Sequence, residues 1–355
     1  MLSVSVPSPS SDKPTPSDLA TSPPPSVWEL INRFAYPAKL KAWEEPWRDR
    51  YDFLVTKGYK LRPRYHPNWS ASWMAPGAKK NPVYMVLDAR LIKDDHHDPT
   101  NHCVPILDDF KDPELPAVSF MVMPVLRDFN DPEFGARGEV VDFVTQILEG
   151  MAFMHVHHVA HSDLTAVNIM MDARPILPQG WHFATTCFTP NGHGNLKPLA
   201  RIDHPVRYYI IDFDNAVRFL PSQSPIVLGL GGRDNDPPEL STTHVPFDHY
   251  KLDVFTVGNV ILKEFRQKFL ALEFLDSLIN NMMIPDFQKR PTAQAALDHW
   301  YKVRDGVPVA SARWPLRKPE ESVGETVVNT LTAARSGVHN LRYLFEEDKR
   351  TWANP

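Results

Sequence analysis

The stretch His161-Ser162-Asp163-Leu164-Thr165-Ala166-Val167-Asn168, followed by Asp212-Phe213-Asp214, holds the residues best suited to chemistry in this chain. It offers an acid, an amide a few positions on, and a second acid at the end of an apolar run. An acid beside a hydroxyl accepts its proton. An amide oxygen and a carboxylate are hard ligands of the kind that hold magnesium against phosphate. Together they suit proton transfer beside a bound hard cation, provided that all three side chains converge. Asp214 adds a negative charge nearby, either a ligand for a second ion or a repulsion for phosphate.

Convergence requires elements that hold the loop from behind. Residues 208–212 (YYIID) read as a buried strand, and 169–171 as a short one. The spacing predicts a helix over 139–157, with Val140, Phe143, Val144, Ile147, Leu148, Met151 and Met154 on one face. Further strands are expected over 83–91, 104–110 and 118–123, the last closed by Pro124. Residues 173–206 read as irregular. Beyond Lys251 a helix is expected from Val254, Val257, Gly258, Ile261, Leu262 and Phe265. An amphipathic helix over 321–345 is expected to pack on the parent domain rather than on a partner.

A chain of 355 residues suffices for one two-lobed domain or two small ones. A net charge of −5 gives no electrostatic case for nucleic acid or an anionic membrane as a partner. No apolar run approaches a membrane span, and the first residues lack the marks of a signal peptide. Cys103 and Cys187 make neither a metal spacing nor a disulfide framework, which points to an intracellular setting, cytoplasmic or nuclear. Residues 1–26, rich in Ser, Pro and Thr, read as a disordered tail. Residues 27–73 are dense in aromatics with Lys and Arg interleaved. Acids are mixed in as well, so packing accounts for them better than base stacking. The histidines at 155, 157, 158 and 161, and His182, Cys187, His193 and His204, fit no standard zinc spacing.

From residue 118 to 300 the order of elements and motifs resembles the protein-kinase superfamily. It is similar to a group of divergent fungal kinase-like proteins with a degenerate, shortened N-lobe, which the segment Asn101-His102-Cys103-Val104-Pro105-Ile106-Leu107 also resembles. The resemblance implies an α+β, bilobal protein-kinase-like fold with a reduced β-rich N-lobe and a mainly helical C-lobe. It implies a nucleotide site for ATP and for magnesium. Asp163 matches the catalytic aspartate, and Asn168 and Asp212 the magnesium ligands, with Asp214 a further candidate. His161 matches a packing residue of the catalytic loop. Glu239, in Pro237-Pro238-Glu239, matches the glutamate closing the activation segment, and Arg290 its arginine partner. Asp253, in Asp253-Val254-Phe255-Thr256-Val257-Gly258, matches the aspartate that supports the catalytic loop. Met121 to Leu126 matches the hinge, with Met123 as gatekeeper and the backbone of Pro124 and Leu126 toward the adenine edge. Expected boundaries are 27–123 for an aromatic extension and the reduced N-lobe, 124–300 for the C-lobe with an insertion near 173–206, and 301–355 for a helical extension.

Several positions depart from the pattern. Ser162 replaces the arginine that answers a phosphorylated activation loop. Thr165 replaces the lysine that steadies the γ-phosphate. Asp214 replaces a glycine. The interval from Asn168 to Asp212 is several times the family's usual length. No glycine-rich phosphate loop is found, and Lys93 is the nearest lysine for a phosphate role. The shortened N-lobe is either genuine loss or a mis-spliced gene.

Three functions therefore stand. One is an ATP- and magnesium-dependent Ser/Thr protein phosphotransferase with weakened or absent activity. The second is a pseudokinase, a scaffold or binding module. The third is a small-molecule kinase of the aminoglycoside/choline type, which shares the His161 to Asn168 and Ile211 to Ala216 patterns. Against the third stand Glu239, Arg290 and Asp253.

Overall fold

The computed structural model describes residues 40, 45–59, 61, 63–69, 98–115, 118–182, 185–192, 194–229, 231–241 and 245–319. The tail 1–26, the strand over 83–91, Lys93 and the helix over 321–345 lie outside them. The chain divides into two compact units, Met1–Asn81 and Pro82–Pro355.

Among its described residues the first unit has two short helices, α1 (Glu45–Asp49) and α2 (Tyr51–Thr56), and a 3-10 turn over Pro63–Tyr65. Leu54, Leu61 and Tyr65 are buried. The Arg64 guanidinium lies 5.2 Å from the Trp69 ring centre, and Tyr51 meets His66 edge-on at 5.0 Å. The aromatics described here thus pack on one another.

The second unit is α+β. Its first described strands, β1 (Asp108–Lys111) and β2 (Ser119–Val122), form an antiparallel hairpin. The strand expected over 104–110 is split. Val104 N donates to Ile210 O and Ile210 N to His102 O, so the start of the segment pairs with a different sheet. Pro105 has no N–H to continue that ladder, and Leu107 N joins Val122 O instead. Next come β3 (Arg127–Asp128), the long helix α3 (Arg137–Val156), β4 (Val159–Ala160) and β5 (Ile169–Asp172). Residues 173–206 contain no helix or strand among those described. After them come β6 (Arg207–Ile210), β7 (Val217–Arg218), β8 (Ile226–Val227) and β9 (Phe247–Asp248). The helices α4 (His249–Ile261), α5 (Asp276–Met282) and α6 (Ala293–Asp305) follow among the described residues, α4 running on into a π-turn, Leu262–Arg266. The sheets are β3-β5-β6 and the pairs β4-β7 and β8-β9, all antiparallel.

Helix α3 is the centre of the core. Val140, Phe143, Val144, Leu148 and Met151 are essentially inaccessible, and burying each such side chain stabilises by roughly 1.5–3 kcal/mol. Phe143 stacks on Phe129 at 4.8 Å and meets Tyr208 of β6 and Phe265 at 4.9 and 5.0 Å. The N-cap of α3 is Ala136, which has no side chain to cap with. Other groups substitute. Glu139 Oε2 accepts from Gly135 N and Ala136 N. Arg137 N and Gly138 N donate to Trp314 O and Ala312 O of the segment after α6. Helix α4 is capped conventionally, Asp248 Oδ1 accepting from Tyr250 N and Lys251 N. Among the described residues no helix is long and apolar enough to cross a membrane.

Candidate active site

The loop over residues 161–168 leaves β4 and enters β5 through a single 3-10 turn, Ala166–Asn168. Helix α4 lies behind it. Ser162 and Asp212 both have φ of +66°, a left-handed conformation that non-glycine residues adopt only when their surroundings hold them there. The strand expected over 208–212 accordingly ends at Ile210, and Asp212 turns out of it into a 3-10 turn.

Asp253 of α4 holds the loop. It is fully buried, and its carboxylate accepts from His161 N at 2.8 Å and Ser162 N at 2.7 Å. The His155 Nε2 atom lies 2.9 Å from the same group. His161, also inaccessible, donates from Nε2 to Ile211 O at 2.9 Å, since a carbonyl can only accept. Its ring therefore ties the loop to the residue preceding Asp212.

Asp163, Asn168 and Asp212 are brought together. Asn168 Nδ2 donates to Asp163 O at 2.8 Å and to Asp163 Oδ2 at 3.0 Å. That fixes the amide, so Asn168 Oδ1 faces the other way. There it accepts from Arg233 Nη1 at 2.9 Å. The same nitrogen lies 3.1 Å from Asp163 Oδ2, and Arg233 Nη2 lies 3.1 Å from Asp212 Oδ2. Arg233 N donates to Asp163 Oδ1 at 2.6 Å. One guanidinium thus touches all three side chains. Asp214 is exposed and makes no hydrogen bond or ion pair among the described residues.

The oxygens of Asn168 and Asp212 converge on a positive charge, and both are hard donors, as magnesium requires. Among the described residues no group of three or more His, Cys, Asp or Glu side chains is placed to hold a metal. A cation here would have two or three protein ligands and complete its shell with water and phosphate, the usual arrangement for magnesium.

Ser162 shares a buried hydrogen bond of 2.9 Å with His249 Nδ1. Burial holds the His249 pKa below the ordinary imidazole value, against the pull of Asp253 and Asp248. The His249 Nε2 atom is buried with no partner among the described residues. Gly229 approaches so closely that a Cβ there would lie 2.3 Å from the ring.

Glu239 and Arg290 form a buried two-point ion pair, at 2.6 and 3.0 Å. Arg290 also donates to Lys251 O at 2.7 Å and Ile284 O at 2.9 Å. With every donor engaged and both charges paired, the pair fastens the segment ending at Glu239 to α4 and to the loop between α5 and α6. Met123 to Leu126 form the extended link between β2 and β3, with Met123 exposed and Pro124 and Leu126 half-buried.

Sequence reasoning missed Arg233, His249 and the approach of Gly232, whose Cβ would lie 2.2 Å from Asp163 Oδ1. Only the pair of glycines before Arg233 hinted at close backbone contact there.

No known family profile matches the chain. Among solved structures it is similar to the Toxoplasma gondii specific rhoptry antigen kinase domain, with 14% sequence identity and a TM-score of 0.38, the match covering 57% of this chain and 62% of that one.

Proposed function

We propose that the chain is a protein-kinase-like phosphotransferase with weakened activity, using ATP and magnesium and acting on a Ser/Thr hydroxyl of a protein. The observation that carries this reading is the convergence of Asp163, Asn168 and Asp212 on one cation, with the loop held by Asp253 and His161. Asp163 would orient the attacking hydroxyl and take its proton on a carboxylate oxygen as the bond from that oxygen to the γ-phosphorus of ATP forms and the bond from the γ-phosphorus to its bridging oxygen breaks, with ADP leaving. Asn168 keeps that carboxylate in place through Nδ2. Asn168 Oδ1 and Asp212 Oδ2 would hold magnesium, with Asp214 outside the set. When bound, the metal supplies charge neutralisation for the phosphoryl group in transfer. Met123, Pro124 and Leu126 would meet the adenine, and Lys93 is the candidate for the phosphates. The formed Glu239–Arg290 pair favours a protein-kinase-like over a small-molecule-kinase reading.

A second reading, a pseudokinase that serves as a scaffold, is favoured by the state of Asp163. One oxygen accepts from Arg233 N, and the other faces Asn168 and the guanidinium.

The test is thermal unfolding of the full chain with and without millimolar Mg-ATP, beside Asp212→Asn. A ligand selective for the native state raises the midpoint. A magnesium-dependent rise that Asp212→Asn loses supports the nucleotide site. No shift, either in the native sequence or in Arg233→Gln, which frees Asn168 and Asp212 of the guanidinium, removes the phosphotransferase reading and leaves the scaffold.

A further inference from the structure

We infer that Arg233 is a built-in counter-cation that excludes a divalent metal from Asn168 and Asp212 and blocks Asp163, so that the site opens only when Gly232 and Arg233 withdraw. The inference rests on the proposed phosphotransferase site.

The contacts leave no room for both occupants. Arg233 Nη1 takes Asn168 Oδ1 at 2.9 Å, and Nη2 takes Asp212 Oδ2 at 3.1 Å. These are the oxygens a magnesium ion would use, and two cations cannot share them at contact distance. Meanwhile Arg233 N donates to Asp163 Oδ1 at 2.6 Å. The backbone of Gly232 lies against the same aspartate, where a Cβ would come within 2.7 Å of both its Cα and its Cβ. A substrate hydroxyl therefore cannot reach Asp163 from that side while these two residues are docked.

The device has an anchored end and a releasable one. Asn259 Nδ2 donates to both Asp234 Oδ2 and Asp236 Oδ2, at 2.8 and 2.9 Å, and Lys263 pairs with Asp236 at 2.6 Å. Glu239 is pinned by Arg290. The Arg233 side chain, by contrast, is 58% exposed, while that of Asp163 is only 2% exposed. The cation arrives from the solvent side, and on leaving it regains water without opening the core.

Mn2+ is the probe, its binding to the full chain measured by calorimetry and by the electron paramagnetic resonance of the free ion. Two variants release the site by different means. Arg233→Gln removes the charge, and Gly232→Ala forces the backbone off Asp163. Both are expected to bind Mn2+ at least about ten-fold more tightly than the native chain, and the gain is expected to vanish when Asp212→Asn is added. The inference is overturned if both variants, folded by circular dichroism, bind Mn2+ no more tightly than the native chain. If that unchanged binding is still lost in Asp212→Asn, the proposed metal site survives without the counter-cation. If no version binds Mn2+, the inference and the proposed site fall together.

Discussion

Asp253 accepts two backbone N–H bonds with no access to water, so its charge is structural as much as electrostatic. Asparagine would keep one acceptor and turn an NH2 toward the N–H of His161 or Ser162. Asp253→Asn is expected to lose about 2–4 kcal/mol in urea unfolding, the cost of a buried donor left facing a donor. Glu239→Gln strips one charge from a pair whose side chains are 0% and 4% exposed. About 3–5 kcal/mol is expected to be lost, because Arg290 stays buried and charged. A third residue sets a pH dependence. Burial raises the Asp142 carboxyl to about 6, against the lowering effect of its bond from Gln146, with His102, Glu149 and Arg201 also facing it. The folded state therefore binds this proton more tightly than the unfolded one. The contribution is full below the ordinary carboxylate range and is lost as pH rises through about 6. Asp142→Asn is expected to stabilise the chain by about 1–2 kcal/mol at pH 8 and by nothing near pH 4, measured by denaturant titration at both. Asp163, Asn168, Asp212, His161, Glu239 and Arg290 were legible because each stands at a motif spacing. Arg233 was not. Its contacts to Asp163 and Asn168 cross a long stretch of chain, and no local pattern encodes such a bond.

At the scale of elements, periodicity located the helix over 137–156 nearly to its ends, because a buried face leaves an apolar stripe. What the stripe does not carry is how the ends are finished. Gly138 shows this. A Cβ there would lie 2.8 Å from Ile202 Cδ1 and 3.0 Å from Ala312 O, a carbonyl that the helix N-terminus needs. Alanine favours a helix interior by about 1 kcal/mol, yet Gly138→Ala is expected to lower stability by about 1–2 kcal/mol net, since overpacking outweighs propensity here. Thermal unfolding of the single variant decides the sign. The segment over 104–110 was misjudged as one strand for a related reason. Its composition favours extension, but only tertiary partners determine that it divides between Ile210 and Val122.

The second unit as a whole is closed by the stretch after α6. Ser311 is buried, Arg137 lies between Phe274 and Trp314 at 5.5 and 5.1 Å, and Leu270 bridges to Arg317. Ending the chain after Asp305 would leave Arg137 N and Gly138 N without their carbonyls. The expected outcome is a loss of several kcal/mol, at about 1–3 for each buried donor, and earlier proteolysis within α3. The sequence-derived boundary at residue 300 describes where motifs end. Packing continues beyond it, because a helix terminus draws its partners from wherever the chain returns.

That return also sets a schedule. The first turn of α3 is completed by Ala312 and Trp314, which are made long after Gly138. At roughly 5–20 residues per second on the ribosome, about 10–35 seconds separate the synthesis of the helix from that of its cap. Throughout that interval the apolar face of α3 exists without a finished end, so the nascent chain of this unit is expected to lean on chaperones until its closing segment emerges.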